Sequence, residues 1–192
     1  MLDISTKKRG QVGGPVDLSD LEQWLTLRYP QSVRTAYLIV GNRPDAEDAV
    51  QEAYLRAWRF RDTLDDASSF SPWLYRILVN ACNSKLRSEI PHRDRRHSAD
   101  QLESVASSDD PTSRFALSRD VMNALSALPT HLRVVVVLRY YADLSEREIA
   151  AAIGRQPGTV KSRLHEARRR LAEHPAIRSH AAESTTSGEA VQ

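Results

Sequence analysis

Gly154 sets the tightest constraint on what this chain can become. In the stretch LSEREIAAAIGRQPGTVKSRLHEARRRL, residues 144–171, it stands between two segments whose apolar residues recur every three or four positions. A glycine at such a place supplies the left-handed backbone that ends one helix and turns the chain into the next. Ser145 followed three residues later by Glu148 forms a capping box and marks the start of the first helix, and Ile149, Ala150 and Ile153 give that helix one apolar face. Pro157 suits the first position of the second helix, in which Val160, Leu164, Ala167 and Leu171 form an inward stripe. Two short helices joined by a glycine turn make a helix-turn-helix, whose second helix enters the major groove of DNA.

The residues facing outward decide whether this pair is a scaffold or a reader. Thr159, Lys161, Ser162 and His165 cluster on the exposed N-terminal part of the second helix, the part that approaches base edges. Arg163, Arg168, Arg169 and Arg170, with Arg155 before the helix, supply positive charge for phosphates. From Arg114 to His174 there are eleven Lys and Arg against six Asp and Glu, although the whole chain of 192 residues carries only +2. The basic balance therefore lies mainly in this half. A solvated helix pair with ordinary arginines is the bland alternative; turn, capping box and basic face together favour a DNA reader.

Helical periodicity extends through the rest of the chain, and the sequence predicts an all-α protein of two small helical domains joined by a flexible linker. Residues 1–17 form a polar, glycine-rich tail, 18–89 a first domain, 90–113 the linker, 114–174 a second domain and 175–192 a small, polar, disordered tail. The first domain holds three helices. One runs from about Ser19 through Val40, interrupted near Tyr29-Pro30, and ends at Gly41-Asn42. A second runs from Pro44-Asp45 to about Phe60, with Ala46, Ala49, Val50, Ala53, Ala57 and Trp58 inward and Glu47, Asp48, Gln51, Glu52 and Arg56 outward. A third runs from about Ser71-Pro72 to Arg87, with Trp73, Leu74, Ile77, Leu78 and Ala81 inward. In the second domain, Arg114 to Ala127 and Thr130 to Tyr141 read as helices. The run Val134 to Leu138 suits a strand by propensity, but no partner strand is visible and Pro129-Thr130 makes a helix start.

Several function classes are excluded at this level. The single cysteine, Cys82, makes no internal disulfide, reads as a small core residue, and fits a reducing cytoplasmic setting. No Cys/His set has zinc-ligand spacing, no apolar signal core follows the basic N-terminus, and no run approaches the roughly 18 apolar residues of a membrane span. Paired carboxylates, a nucleophile triad and a phosphate-cradling glycine loop are all missing, so neither an enzyme nor a cofactor or metal site is expected.

With these residues in place, the chain resembles the extracytoplasmic-function sigma factors of bacterial RNA polymerase, over a span from about Tyr29 to Leu171. The segment LPTHLRVVVVLRYYADLSEREIAAAIGRQPGTVKSRLHEARRRL looks like the family's region 4. RPDAEDAVQEAYLRAWR is similar to the region 2 segment that docks on polymerase, and FSPWLYRILVNACNSKLR to the promoter-melting segment after it. The resemblance implies a specificity subunit that binds core polymerase through its β and β′ subunits, with Asp45, Glu47, Asp48, Gln51 and Glu52 facing the polymerase clamp. An exposed acidic strip is also what a basic partner helix requires. For the upstream (−35) promoter element, read as duplex, it implies base or near-base contact by Lys161, Ser162, His165 and Glu166. Phosphate contact then falls to Arg155, Thr159, Arg163 and Arg168.

The downstream (−10) element would be opened and an extruded base held by the loop Arg61 to Phe70 and by Arg76, Asn80, Asn83, Lys85 and Arg87, with Trp73 weighted towards the core. Stacking contributes roughly 1 to 3 kcal/mol per base in such sites. An anti-sigma factor covering both domains is the expected regulator, with mutual occlusion of the domains in the free state. Two departures bear on which sequence is read: Ser84 stands where many members carry Asp, and Glu166 where many carry Arg. Glu166 either accepts a hydrogen bond from cytosine N4 or pairs with Arg163, Arg169 or Arg170 at helical spacing. The rival readings are a stand-alone dimeric helix-turn-helix regulator and a sigma-like adaptor that has lost its DNA face.

Overall fold

The structure, a computed structural model, describes residues 18–64, 69–88, 119–175 and 177–178. The linker 90–113, the N-terminal tail 1–17 and the start of the helix expected from Arg114 lie outside the described residues. Seven α-helices are seen among the described residues, with no strand: α1 Leu18–Val40, α2 Arg43–Arg59, α3 Phe70–Ser88, α4 Arg119–Ala127, α5 Thr130–Tyr140, α6 Glu146–Ile153 and α7 Pro157–Glu173, plus a 3₁₀ turn at Arg61–Thr63. A further helical turn follows Glu173, where the tail was expected to begin, with the Ile177 and Arg178 amides donating to the His174 carbonyl.

The expected break at Tyr29-Pro30 does not occur, and α1 runs through Pro30. Buried Leu21, Leu25, Ser32, Thr35, Ala36 and Ile39 keep one helical phase on both sides of the proline. Burial of that continuous stripe offsets the roughly 3 kcal/mol that an interior proline costs. Gly41, at φ 97, then ends α1, and Asn42 caps α2 by accepting a hydrogen bond from the Asp45 amide at 2.9 Å. In α2 the stripe Ala46, Ala49, Val50, Ala53 and Ala57 is fully buried, but Trp58 is 45% exposed. It lies one residue beyond the stripe, about 100° around the helix and next to its end.

α1, α2 and α3 pack mutually as a three-helix unit, and α5, α6 and α7 form a second one with α4 beside α1. The valine run is helical as expected. Leu132 and all of Val134 to Leu138 are buried because α5 lies between α7, α6 and α1, which leaves it no solvent face along that stretch. One continuous apolar cluster draws on both units, from Ala36 and Cys82 in the first to Leu138, Ile149 and Val160 in the second. A smaller cluster of Leu21, Leu25, Ala57, Leu64, Phe70 and Leu74 closes the far end of the first unit.

Helix α3 has three distinct faces. Leu74, Leu78, Ala81 and Lys85 follow one line, which meets α2 where the Lys85 ammonium lies 3.0 Å from Asp48. Tyr75, Val79, Cys82 and Leu86 follow a second line towards the second unit, in which Tyr141 is an electrostatic neighbour of Tyr75. Arg76, Asn80, Asn83 and Arg87 follow the third. α6 packs against α3, so the second line is sealed by the other unit. Burial there pushes the Cys82 thiol up to about 12.

One guanidinium that spans the seam between the units is that of Arg133. Arg133 Nη1 donates to the Ile39 carbonyl in the last turn of α1 at 2.8 Å. Its Nη2 donates to the Ser126 and Leu128 carbonyls, at and just past the end of α4, at 2.8 and 3.1 Å. Neither α1 nor α4 has a basic residue in its own last turn, so Arg133 supplies the cation for both helix ends. Arg133→Ala is expected to lower stability to urea by about 2 kcal/mol, since hydrogen bonds to charged groups contribute about 1.5 to 3 kcal/mol. It should also speed alkylation of Cys82 at pH 8, where the wild-type thiol is neutral and buried. Unchanged alkylation would show that Arg133 does not hold the units together.

Candidate nucleic-acid and protein interfaces

The helix-turn-helix forms as its punctuation predicts. Ser145 Oγ accepts from the Glu148 amide at 3.3 Å, and the Glu148 carboxylate accepts from the Ser145 amide at 2.8 Å, closing the capping box. Gly154 adopts φ 62 and ψ 44, and the Arg155 amide returns to the Ala150 carbonyl at 2.9 Å. A methyl group on Gly154 would meet no atom within 4 Å, so backbone conformation alone demands glycine there. Pro157 opens α7, and Val160, Leu164 and Ala167 anchor its inner face.

On the outer face of α7, Lys161, Ser162 and His165 are exposed, as is Arg155 in the turn, while Thr159 and Arg163 are half-buried. Ser162 Oγ donates to the Thr159 carbonyl at 3.0 Å, which holds it beside the helix start. The C-terminal arginines are differently engaged. Arg169 and Arg170 both reach the Glu166 carboxylate, at 2.9 and 2.6 Å, Arg169 also reaches Glu173 at 3.0 Å, and Arg168 Nε donates to the Leu164 carbonyl at 3.2 Å. Hydrogen bonds from Arg169, and then from Arg170, hold the Glu166 carboxyl down at about 2. Of the two roles open to Glu166, the structure displays the pairing with Arg169 and Arg170. Arg147, which the pattern ERE of the capping turn hid, joins Arg155 and Thr159 around an open hollow of about 620 Å³.

In the first unit, Arg76 and Asn80, with Arg87, are exposed along the third face of α3, and Asn83 is half-buried on the same line. This polar face stays open with the units packed together; the occlusion expected of the free state falls instead on the Tyr75, Val79, Cys82 and Leu86 line. Two of the expected residues are placed elsewhere. Phe70 is 6% exposed in the core, its ring 5.0 Å from Trp24 and 6.2 Å from Trp73, so no face of it is open to a base. Lys85 points to α2 and pairs with Asp48. Trp73 is half-buried, as weighted, and donates to Thr63 Oγ1 at 3.1 Å. The guanidinium of Arg61 lies 5.6 Å over the exposed Trp58 ring. Residues 65–68 of the loop expected to take part lie outside the described residues.

The acidic strip on α2 is present but is not bare. Asp45 accepts from Asn42 Nδ2 at 2.6 Å, Glu47 pairs with Arg43 at 2.7 Å, and Glu52 pairs with Arg56 at 2.5 Å. Gln51 is exposed. Asp48, Gln51, Glu52, Leu55 and Trp58 recur at helical spacing, so the acidic face continues into Leu55, 70% exposed, and Trp58. Sequence periodicity missed this apolar continuation by turning Trp58 inward. Its signal was Leu55, an apolar residue out of phase with the buried stripe.

A helical unit with a mixed acidic and apolar face on α2, followed by a helix-turn-helix unit, is the layout of a sigma-70 type of transcription initiation factor. The match to family models agrees: Sigma-70 region 2 covers residues 25–89 and Sigma-70 region 4 covers residues 118–171. The chain is 32% identical over 179 residues to the ECF RNA polymerase sigma factor SigW of Bacillus subtilis, spanning 88% of this chain and 92% of that protein. Among solved structures, it is similar to the sigma factor RpoE in complex with the anti-sigma factor NepR from Bartonella quintana. That likeness has a TM-score of 0.66 at 30% identity, covering 81% of this chain and 96% of the other. It is also similar to CnrH in complex with the cytosolic domain of CnrY, with a TM-score of 0.58 at 26% identity, covering 82% and 88%. The chain belongs to the extracytoplasmic-function sigma factors. Among the described residues no helix is long and apolar enough to cross a membrane, and no group of three or more metal-ligating side chains is found.

The Glu166 clamp has a pH signature. A carboxyl depressed in the folded state contributes above its ordinary value of 4.5, and that contribution is lost as pH falls towards about 2. An NMR titration of the Glu166 carboxyl is expected to show a midpoint near 2, and Arg169→Ala should raise it. A wild-type midpoint near 4.5 would mean that the clamp does not form.

Proposed function

We propose that this sigma factor binds core RNA polymerase and directs promoter-specific initiation, with α7 reading the upstream element as duplex and α3 opening the downstream element. The observation that carries the reading is the undivided polar face of α3. Arg76, Asn80, Asn83 and Arg87 lie on one line, with exposed Phe60 just past the end of α2 in the same unit. Amide and guanidinium groups pair with base edges and phosphates, and aromatic rings stack with unpaired bases. In the second unit, Lys161, Ser162 and His165 face the base edges of the upstream element while Arg155, Thr159 and Arg163 face its phosphates. Arg168, on the next turn, serves the backbone, and Glu166 orders the arginines after it.

The docking face for polymerase is the α2 line from Asp48 to Trp58, with Asp45 and Glu47 at its edge. An apolar centre rimmed by carboxylates suits a partner helix that is apolar in the middle and basic at the rim. The two solved relatives are each held in a complex, one with an anti-sigma factor, and this supports an anti-sigma factor as regulator of this chain as well. The protein works in the cytoplasm as a subunit without catalytic chemistry, cofactor or metal of its own.

In vitro transcription with purified core polymerase and a promoter library tests the reading, with promoter-specific starts as the expected outcome. Absence of any such start would overturn it, and duplex binding by a dimer without core would favour the stand-alone regulator. Trp58→Ala is expected to weaken core binding about tenfold, in the range of a central aromatic at an interface, while leaving duplex binding by α7 unchanged.

A further inference from the structure

The first helix of the DNA-reading pair carries a cation placed as if for a ligand. Arg147 is exposed in the opening turn of α6, and Arg147, Ala151 and Gly154 follow one another at helical spacing along one line of that helix. The line faces the hollow whose other side is built by Arg155, Gln156, Pro157 and Thr159. Its floor, Ala150, Ala151 and Gly154, holds nothing larger than a methyl group, so a ligand can approach the backbone closely. The two charged residues that line it are Arg147 and Arg155.

The basic residues of this unit divide by position. Arg169 and Arg170, far from the turn, are tied to Glu166, and Arg168 is tied to the backbone of its own helix. Arg147 and Arg155, at the turn, have no ion-pair partner among the described residues. Glu148, next to Arg147 in sequence, already accepts two hydrogen bonds from Ser145 in the capping box. Two unpaired guanidiniums over a floor of small residues suit a phosphate, whose oxygens match the planar fork of arginine. The hollow is open rather than enclosed, which suits a phosphate that belongs to a polymer running past it. In helix-turn-helix proteins the first helix crosses the DNA backbone.

We propose that Arg147 is a positioning residue that, together with Arg155, clamps one backbone phosphate of the upstream promoter element and so sets the register of α7 in the major groove. The proposal rests on the reading of α7 as a duplex reader. The test uses full-length chain assembled with core polymerase and upstream-element duplexes in which single phosphates are replaced by neutral methylphosphonates. For wild type, neutralising one position beside α6 should weaken binding several-fold. Arg147→Gln should weaken binding to the unmodified duplex by a similar factor for every promoter sequence, and should lose nothing more at that one position. Its salt dependence, as the slope of log K on log salt, should fall by about 0.9, the value of one phosphate contact. Arg147→Lys should keep the slope and lose part of the affinity.

If Arg147→Gln loses as much as wild type at every modified position and keeps the wild-type slope, the inference is overturned. If the wild-type holoenzyme shows no preference for the upstream element over an unrelated duplex, the duplex-reading role of α7 fails and this inference fails with it. Arg147 takes no part in the capping-box hydrogen bonds, so both variants should melt at the wild-type temperature.

Discussion

The structure depends on burial of α3 from two sides. α2 covers one line of it and α6 covers another, so this helix is also the wall on which the two units meet. An α-helix has room for three such lines, and α3 uses all of them: one for its own unit, one for the neighbour, one for solvent. The seam is held by apolar burial, which is non-directional, and by Arg133, which is directional and ties the ends of α1 and α4 through their free carbonyls. Packing of this kind fixes the polar line of α3 outward, because rotating the helix would place Arg76 or Asn80 against a neighbouring helix without partners.

Charge is arranged by the same logic of pairing. On α7 the cations at the C-terminal end are engaged with carboxylates or their own backbone, whereas those at the turn stand without ion-pair partners among the described residues. On α2 the acids are partnered too, by Arg43, Arg56 and Lys85, and exposed pairs of that kind contribute only about 0 to 1 kcal/mol each. A partner helix docking there, as proposed, would exchange partners with them at small cost. The exposed Leu55 and Trp58 are therefore the part of that face able to contribute affinity rather than steering.

Local signals in the chain were enough for much of this. The capping box of Ser145 and Glu148, the left-handed Gly154 and the proline start of α7 all act within a few residues, and each formed where its chemistry demanded. The valine run read as helix for a similar reason, since Pro129-Thr130 opened it and no strand partner was available. Where the reading failed, distant packing had outweighed a local rule. Pro30 did not break α1 because Leu25 and Ile39 on either side of it are buried along one stripe. The family resemblance places Phe70 with the loop that meets DNA, yet Trp24, more than forty residues earlier, covers it. Trp58 was turned inward by spacing, although the end of α2 leaves it exposed.

By itself, then, the sequence determined the all-helical character, the helix-turn-helix and which face of α7 is basic, because caps, turns and 3.6-residue periodicity are properties of the nearest few residues. It did not determine that Cys82 and Val79 would be sealed by α6, that Lys85 would turn to Asp48 or that Arg133 would reach Ile39. Periodicity says how many faces of a helix are apolar but does not name the element that covers each one. Only the tertiary structure decided that, since contacts between residues far apart in the chain depend on how whole helices dock.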